Sequence, residues 1–478
     1  MHTTLRCAAL SLAVAACAAR PDVAAPTARD YLYLWTASAD TTQPDFLAVV
    51  DVTQPADSTT PYGTLVTTTA VPGVKNRPHH TEHELPADRQ LFANGFGSGK
   101  SWVFDLSVPD KPRIAASFAD VDGYMHPHSF LRLPGGNVLA TFQMKHGERG
   151  ARTGGLVELT PSGTRVRSVS ADSPGADSAL RVYSAGIVPA IDRIVTTSTD
   201  MHGDADASRT VQIWRLSDRK LLTSLTLSGP NGTLTAEPRV MEDGRTVLVS
   251  TFSCGLFLLD GLATAAPTAV QVGSFPQKKD ENCAIPAIVG HFYLVTVPAW
   301  SAVVSMDISN PRAPREVSRA SFDSSDVPHW IAVSPDKRRV VVTGYESMQH
   351  AVHLLHLNPA TGQLTRDMRF RNRAIQRRDS GWTIGRGRMA GTPRAFHTER
   401  CSADSYGAPA ETQRGLLSLP PISAPGIAPR MNMITRPALE LKMRKSSFSL
   451  RPPAYASANP MLPPISAPTP GCATSPSA

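Results

Sequence analysis

The sequence predicts an all-β fold, a seven-bladed β-propeller with a six-bladed ring as the alternative, and three observations carry that reading. A unit of about fifty residues recurs between positions 79 and 356, and periods near this size belong to propeller blades. The units alternate β-branched and aromatic residues between Gly, Asp and Pro turns, which is strand-turn-strand chemistry. No segment of this region sustains a 3.6-residue apolar period over about ten residues, as an amphipathic helix must.

The copies can be read in order. Turn-and-strand pairs occur as LPADRQLFANGF from Leu85, LPGGNVLATFQM from Leu133, PAIDRIVTTST from Pro189, MEDGRTVLVSTF from Met241, IVGHFYLVTVPA from Ile288 and SPDKRRVVVTGY from Ser334. A second β-rich run follows each: SWVFDLS, GLVELTP, VQIWRLS, GLFLLDG, AVVSMDIS and AVHLLHLN. These six copies have four strands each, whereas the N-terminal segment supplies three, YLYLWTA from Tyr31, FLAVVDV from Phe46 and GTLVTTT from Gly63. The missing innermost strand is expected from beyond Arg371, closing the ring between first and last blades so that only short, protected edges remain. The propeller is thus assigned to residues 30–370.

Composition narrows the function classes. The chain has 478 residues, 41% hydrophobic and 18% charged, enough to bury a large core. No apolar run of about eighteen residues follows position 30, and 33 Gly with 41 Pro are too many for a helical bundle, so spanning helices and fibrous folds fall away. The net charge of +8 invites a nucleic-acid reading. Residues 371–478, however, hold 15 Lys+Arg against 5 Asp+Glu, which leaves the first 370 residues at 33 against 35. The body therefore has no basic excess to attract a phosphate backbone, and no nucleic-acid partner is expected.

The first 19 residues read as an export leader: a basic start ending at Arg6, then an apolar stretch from Cys7 to Ala16 that is too short to span a bilayer. Val14-Ala15-Ala16-Cys17 fits the bacterial lipoprotein pattern, so Cys17 is expected to carry a lipid anchor and to hold a monomer in the periplasm or on the outer membrane. Of the six cysteines, Cys254 and Cys283 remain for the folded body. In an oxidising compartment they form a disulfide, unless they serve as reduced core thiols or a metal thiolate.

In a propeller the innermost strands start beside the central channel, so equivalent positions of successive repeats meet around a ring. Those positions hold Pro78-His79-His80-Thr81-Glu82-His83, His126-Pro127-His128, Val182-Tyr183-Ser184, Ala236-Glu237-Pro238-Arg239, Asn282-Cys283-Ala284 and Pro328-His329-Trp330. A single histidine among 14 is seldom a ligand, but a set recurring in register from several strands can ligate a transition metal through neutral ring nitrogens. His79, His80 and His128 are the expected ligands, with His83, His126 and Cys283 as secondary candidates. His202 reads as a loop residue that could reach the rim. Glu237 is either a ligand or proton acceptor in the channel or, as the favoured reading, the ion-pair partner of Arg239. Tyr183 and Trp330 line the cavity or sit buried between blades.

The segments PHHTEHELP, HPHSFLRLPGGNVLATFQ, FSCGLFLLDG and VPHWIAVSPDKRRVVVTGY resemble the selenium-binding protein and methanethiol oxidase family over approximately residues 30–370. The resemblance implies a seven-bladed propeller with histidine-bound copper and the oxidation of methanethiol to formaldehyde, hydrogen sulfide and hydrogen peroxide. It places His79 and His80 on the family's adjacent pair and His128 on the ligand of the next blade. The family draws a further histidine from near its C-terminus, and residues 371–478 hold no matching motif.

Three functions compete. The first is a copper oxidoreductase that oxidises a small sulfur compound with dioxygen, with Glu237 and His329 as catalytic groups of the outer site. The second is a non-catalytic, envelope-anchored propeller that presents loops to a protein partner, touching the membrane only through its lipid. The third is a lactonase-type hydrolase, which wants carboxylate and carbonyl ligands for a hard cation and is disfavoured by the excess of histidine at the ring. After Arg371 the β pattern stops in favour of Arg, Pro, Ser, Ala and Met, with LPPISAP at Leu419 and again at Leu462. Such a tail reads as disordered, or as an out-of-frame reading of the gene that begins where the closing strand is due.

Overall fold

Seven antiparallel sheets, each built from strands consecutive in sequence, carry the site. The computed structural model describes residues 29–370 apart from positions 39, 147–151, 173–179, 202–207, 279–281, 284, 325 and 345–351. The leader with Cys17, His202 and the segment 371–478 lie outside the described residues.

The first sheet holds β1 (Tyr31–Thr36), β2 (Phe46–Asp51) and β3 (Thr64–Ala70). The second holds β4 (Pro78–Thr81), β5 (Gln90–Gly95), β6 (Lys100–Asp105) and β7 (Arg113–Phe118), and the third β8 (Tyr124–Arg132), β9 (Val138–Lys145), β10 (Arg152–Leu159) and β11 (Arg165–Ser170). The fourth comprises β12 (Val182–Val188), β13 (Arg193–Ser198), β14 (Thr210–Arg215) and β15 (Leu221–Thr226), and the fifth β16 (Thr235–Val240), β17 (Val247–Thr251), β18 (Gly255–Asp260) and β19 (Thr268–Ser274). The sixth contains β20 (Ala287–Val289), β21 (Phe292–Val297), β22 (Ala302–Asp307) and β23 (Arg315–Ser321), and the seventh β24 (Pro328–Val333), β25 (Arg339–Gly344), β26 (Val352–Leu357) and β27 (Leu364–Arg366). Seven blades, not six, form the ring.

Burial follows the layer order. Second strands such as β9, β17 and β21 are buried almost throughout, while outer strands such as β7 and β23 alternate exposed and covered residues, the pattern of a sheet with one face toward water. The cores lie between neighbouring sheets. Phe92 and Val103 of the second sheet pack on Tyr124, Phe130 and Phe142 of the third, and Phe292 and Leu294 of the sixth pack on Ile331, Val340 and Leu355 of the seventh.

The first sheet departs from the others in having three strands among the described residues. Its β1 is half-buried along its whole length, where the second strands of most other sheets are buried. The closing strand expected from beyond Arg371 falls outside the described residues. Described residues of the first and seventh sheets and of the segment up to Phe370 meet at the seam. The Tyr62 amide donates to the Arg369 carbonyl at 3.0 Å, and the Tyr62 hydroxyl donates to Asp367. Arg339 of the seventh sheet donates to the Val52 carbonyl at 3.1 Å and pairs with Asp30 at 2.9 Å.

Candidate metal centre

A repeated kink in the innermost strands positions every side chain of the site. Between β4 and β5 the register runs from Pro78 opposite Gly95 to Thr81 opposite Ala93, so one extra residue is inserted at His79-His80. The same insertion falls at His128-Ser129 in β8, Tyr183-Ser184 in β12 and Ala236-Glu237 in β16, and another shift falls at His329 in β24. A β-bulge breaks the period-2 alternation of a strand, which lets two consecutive residues turn toward the same side. That is how neighbours such as His79 and His80 both reach the axis.

The adjoining second strands hold these bulges in place. Asn94, fully buried, accepts from the His80 amide at 2.5 Å and donates to the carbonyls of Pro127 and His128 at 2.8 and 3.2 Å. Thr141 accepts from the Ser129 amide at 3.0 Å and donates to the Tyr183 carbonyl at 2.8 Å. Thr197 donates to the Ala236 carbonyl, and Thr296 to the His329 carbonyl at 3.1 Å. Each polar side chain thereby links its own sheet to the bulge of the next. Their signal in sequence is a polar residue inside an otherwise apolar strand, as in FANGF and LATFQ.

Two bulges bring three histidines together. Ligand nitrogens of His79, His80 and His128 all lie within 4.8 Å of one another, and His80 and His128 are buried. The Nε2 atoms of His79 and His128 stand 3.0 Å apart. Two adjacent nitrogens bound to one ion at about 2.0–2.1 Å and an angle near 90–110° are separated by about 2.9–3.4 Å, so the residues present fit a transition metal. The ring of His128 is fixed from behind, its Nδ1–H donating to the Tyr183 carbonyl at 2.8 Å. Burial first, and then the neighbouring His128, hold His79 and His80 well below the ordinary imidazole range, so both are neutral donors at pH 7.

The remaining candidates take other places. His329 contributes no nitrogen to the close set, stacks on Phe252 with ring centroids 6.4 Å apart, and is pushed down to about 4 by burial. His83 lies flat on Trp330 at 4.7 Å, and its Nε2 accepts from Arg239 at 3.0 Å, which engages the lone pair a metal would need. His126 has a left-handed backbone (φ 55) and sits by Phe96, outside the close set. Cys283 is bonded to Cys254 with Cα atoms 5.0 Å apart, so it is neither a free thiol nor a thiolate ligand.

Glu237 follows the ion-pair reading. One carboxylate oxygen, Oε2, accepts from Arg239 at 2.7 Å and from the Ser184 hydroxyl at 2.6 Å, in a side chain with no solvent exposure. It is not one of the residues whose ligand atoms cluster within 4.8 Å. Tyr183, Phe252, Ile285 and Ala236 form an apolar wall extended by Met201, Leu234 and Trp330, and Trp330 stands edge-to-face against His80 at 4.7 Å.

The fold and site define a class: an all-β propeller with a tri-histidine cluster, two of its members buried and one half-buried, where two neighbouring inner strands bulge toward the axis. No protein-family model matches the chain. A methanethiol oxidase of Hyphomicrobium is 31% identical over 143 residues, 27% of this chain and 32% of that protein, and one of Ruegeria pomeroyi is 28% identical over 145 residues, 29% and 31% respectively. The chain thus spans about a third of the length of the curated relatives it matches. Among solved structures, a hypothetical selenium-binding protein of Sulfolobus tokodaii superimposes with a TM-score of 0.59 at 19% identity, covering 71% of this chain and 89% of the other. The periplasmic gluconolactonase of Pseudomonas aeruginosa follows the same fold at a TM-score of 0.54 and 15% identity, covering 71% and 95%. Over the matched stretch the chain is similar to these methanethiol oxidases, and its fold is that of the selenium-binding protein.

Proposed function

We propose that this propeller binds copper through His79, His80 and His128 and oxidises a small thiol with dioxygen. The observation that supports it best is the pair of Nε2 atoms 3.0 Å apart, contributed by adjacent sheets and backed by a third buried imidazole. Imidazole suits copper among several transition metals, and copper is the metal that the resemblance of the sequence segments implies. Methanethiol, dioxygen and water would give formaldehyde, hydrogen sulfide and hydrogen peroxide, the carbon losing two electrons and dioxygen gaining them.

Copper, when bound, would supply the one-electron steps that dioxygen requires. The chain's own residues do the rest. The wall of Tyr183, Phe252 and Trp330 admits a small apolar sulfur compound and sheds water from around it. His329, stacked on Phe252 of that wall, handles the substrate's proton. Glu237 holds Arg239, which in turn holds His83 against Trp330.

An all-nitrogen set does not favour the hard cation of a lactonase, whose likeness here is one of fold. Export with a lipid on Cys17 remains part of the proposal and is supported by the Cys254–Cys283 bond, since such bonds persist outside the reducing cytoplasm. Copper analysis of the reconstituted full chain tests the reading: about one equivalent is expected, lost in His80→Ala. Less than about a tenth of an equivalent, with capture of an envelope protein undisturbed by His79→Ala, would favour the non-catalytic scaffold instead.

A further inference from the structure

We infer that the Tyr183 hydroxyl is a further donor to the cation held by His79, His80 and His128, adding one oxygen to the three nitrogens; the inference rests on the metal-site reading above. Tyr183 stands in the socket that supplies the ligands of the two preceding sheets. The inserted residues are His79-His80 in β4, His128-Ser129 in β8 and Tyr183-Ser184 in β12, so Tyr183 takes the same first position as His79 and His128. It has no solvent exposure, and its ring lies against the His128 ring at 4.1 Å and edge-to-face with Phe252 at 5.3 Å.

So held, the hydroxyl oxygen stands 3.5 Å from His80 Nε2. Ser129 lies 3.3 Å from Nδ1 of the same ring, so Nε2 is the His80 nitrogen left to face an ion. Two donors on one ion at about 2.0–2.2 Å, with a near-tetrahedral angle between them, are separated by about 3.3–3.6 Å. The Tyr183 oxygen meets that spacing whichever nitrogen of His80 carries the proton, because only heavy-atom positions enter. A good hydrogen bond between the same two atoms would stand at about 2.7–3.2 Å, so a shared ion accounts for the separation better than a shared proton. Coordination expels the phenol proton: the O–H bond breaks, the oxygen keeps the electron pair and gives it to the cation, and the proton leaves to solvent.

Absorption of the full chain loaded with copper(II), free of any thiol, tests this, because a phenolate bound to copper(II) gives a visible charge-transfer band that imidazoles alone do not. The parent is expected to show the band, and Tyr183→Phe, which keeps the ring packing, to lose it. Copper uptake in weakly buffered solution is expected to release one proton fewer in Tyr183→Phe than in the parent. A copper-loaded parent without the band overturns the inference, whether or not the variant folds, and so does a band that survives in Tyr183→Phe. Elemental analysis measures copper content separately. A parent that takes up copper without the band therefore loses only the Tyr183 assignment, whereas one that takes up none loses the metal reading beneath it as well.

Discussion

His79 and His128 belong to different sheets, yet their Nε2 atoms lie at hydrogen-bond distance, 3.0 Å. Two facing lone pairs repel, so the contact requires a proton or a cation between them. Replacing His128 by Ala is expected to lower copper affinity by more than about 100-fold, beyond what loss of a supporting partner costs. Chelator competition measures it. Copper at a hundredfold excess over its dissociation constant should stabilise the parent by about 2.7 kcal/mol and leave the variant's melting point unmoved.

The depressed His329 makes metal-free stability sensitive to acid. Its folded value near 4 lies below the unfolded imidazole value of 6.5, so between these pH values the unfolded chain binds a proton that the folded one refuses. Stability is expected to fall as pH drops from 6.5 to 4, by up to about 3 kcal/mol from this residue. Urea unfolding across that window should show a shallower slope for His329→Gln. Equal slopes would mean that the ring is solvated.

The bond between Cys254 and Cys283 closes a loop of 29 residues. Its removal by paired Ser substitution should cost about 3–4 kcal/mol. Alkylation without prior reduction, read by mass spectrometry, should leave both cysteines unmodified.

Asn94→Ala should damage two bulges at once, since its side chain serves the His80 amide and the carbonyls of Pro127 and His128. Leaving these groups buried without a partner is expected to cost about 2–4 kcal/mol in denaturant unfolding. Copper affinity should fall with it, because the same bond network spaces the two strands that carry the histidines.

Arg239→Met would leave the Glu237 carboxylate buried without its countercharge, at a cost of about 3–5 kcal/mol. Glu237→Gln should be milder. A larger loss in Glu237→Gln than in Arg239→Met would show that the carboxylate does more than pair with its neighbour.

The repeat made the ring legible in sequence, because strand alternation and turn residues are local properties and seven sheets follow from counting them. The three histidines were legible for the same reason: equivalent positions in a periodic fold must meet. What escaped was set by contacts across sheets. Nothing local distinguishes His83, whose lone pair is engaged by an arginine 156 residues away, from His80. Nor does HPH reveal that His126 takes a left-handed backbone and faces Phe96 while His128 turns inward. Asn94 and Thr141 stand out as polar residues inside apolar strands, but the carbonyls that they, Thr197 and Thr296 reach are supplied by the neighbouring sheet.

The bulge is made by backbone pairing and by a polar side chain on the adjoining strand, and imidazole is not needed to form it. The same socket holds two histidines in one sheet, histidine with serine in the next, tyrosine with serine in a third and alanine with glutamate in a fourth. Exchange of occupants at one socket therefore leaves the frame intact, and reactive groups can migrate from sheet to sheet around the axis while the architecture stays as it is.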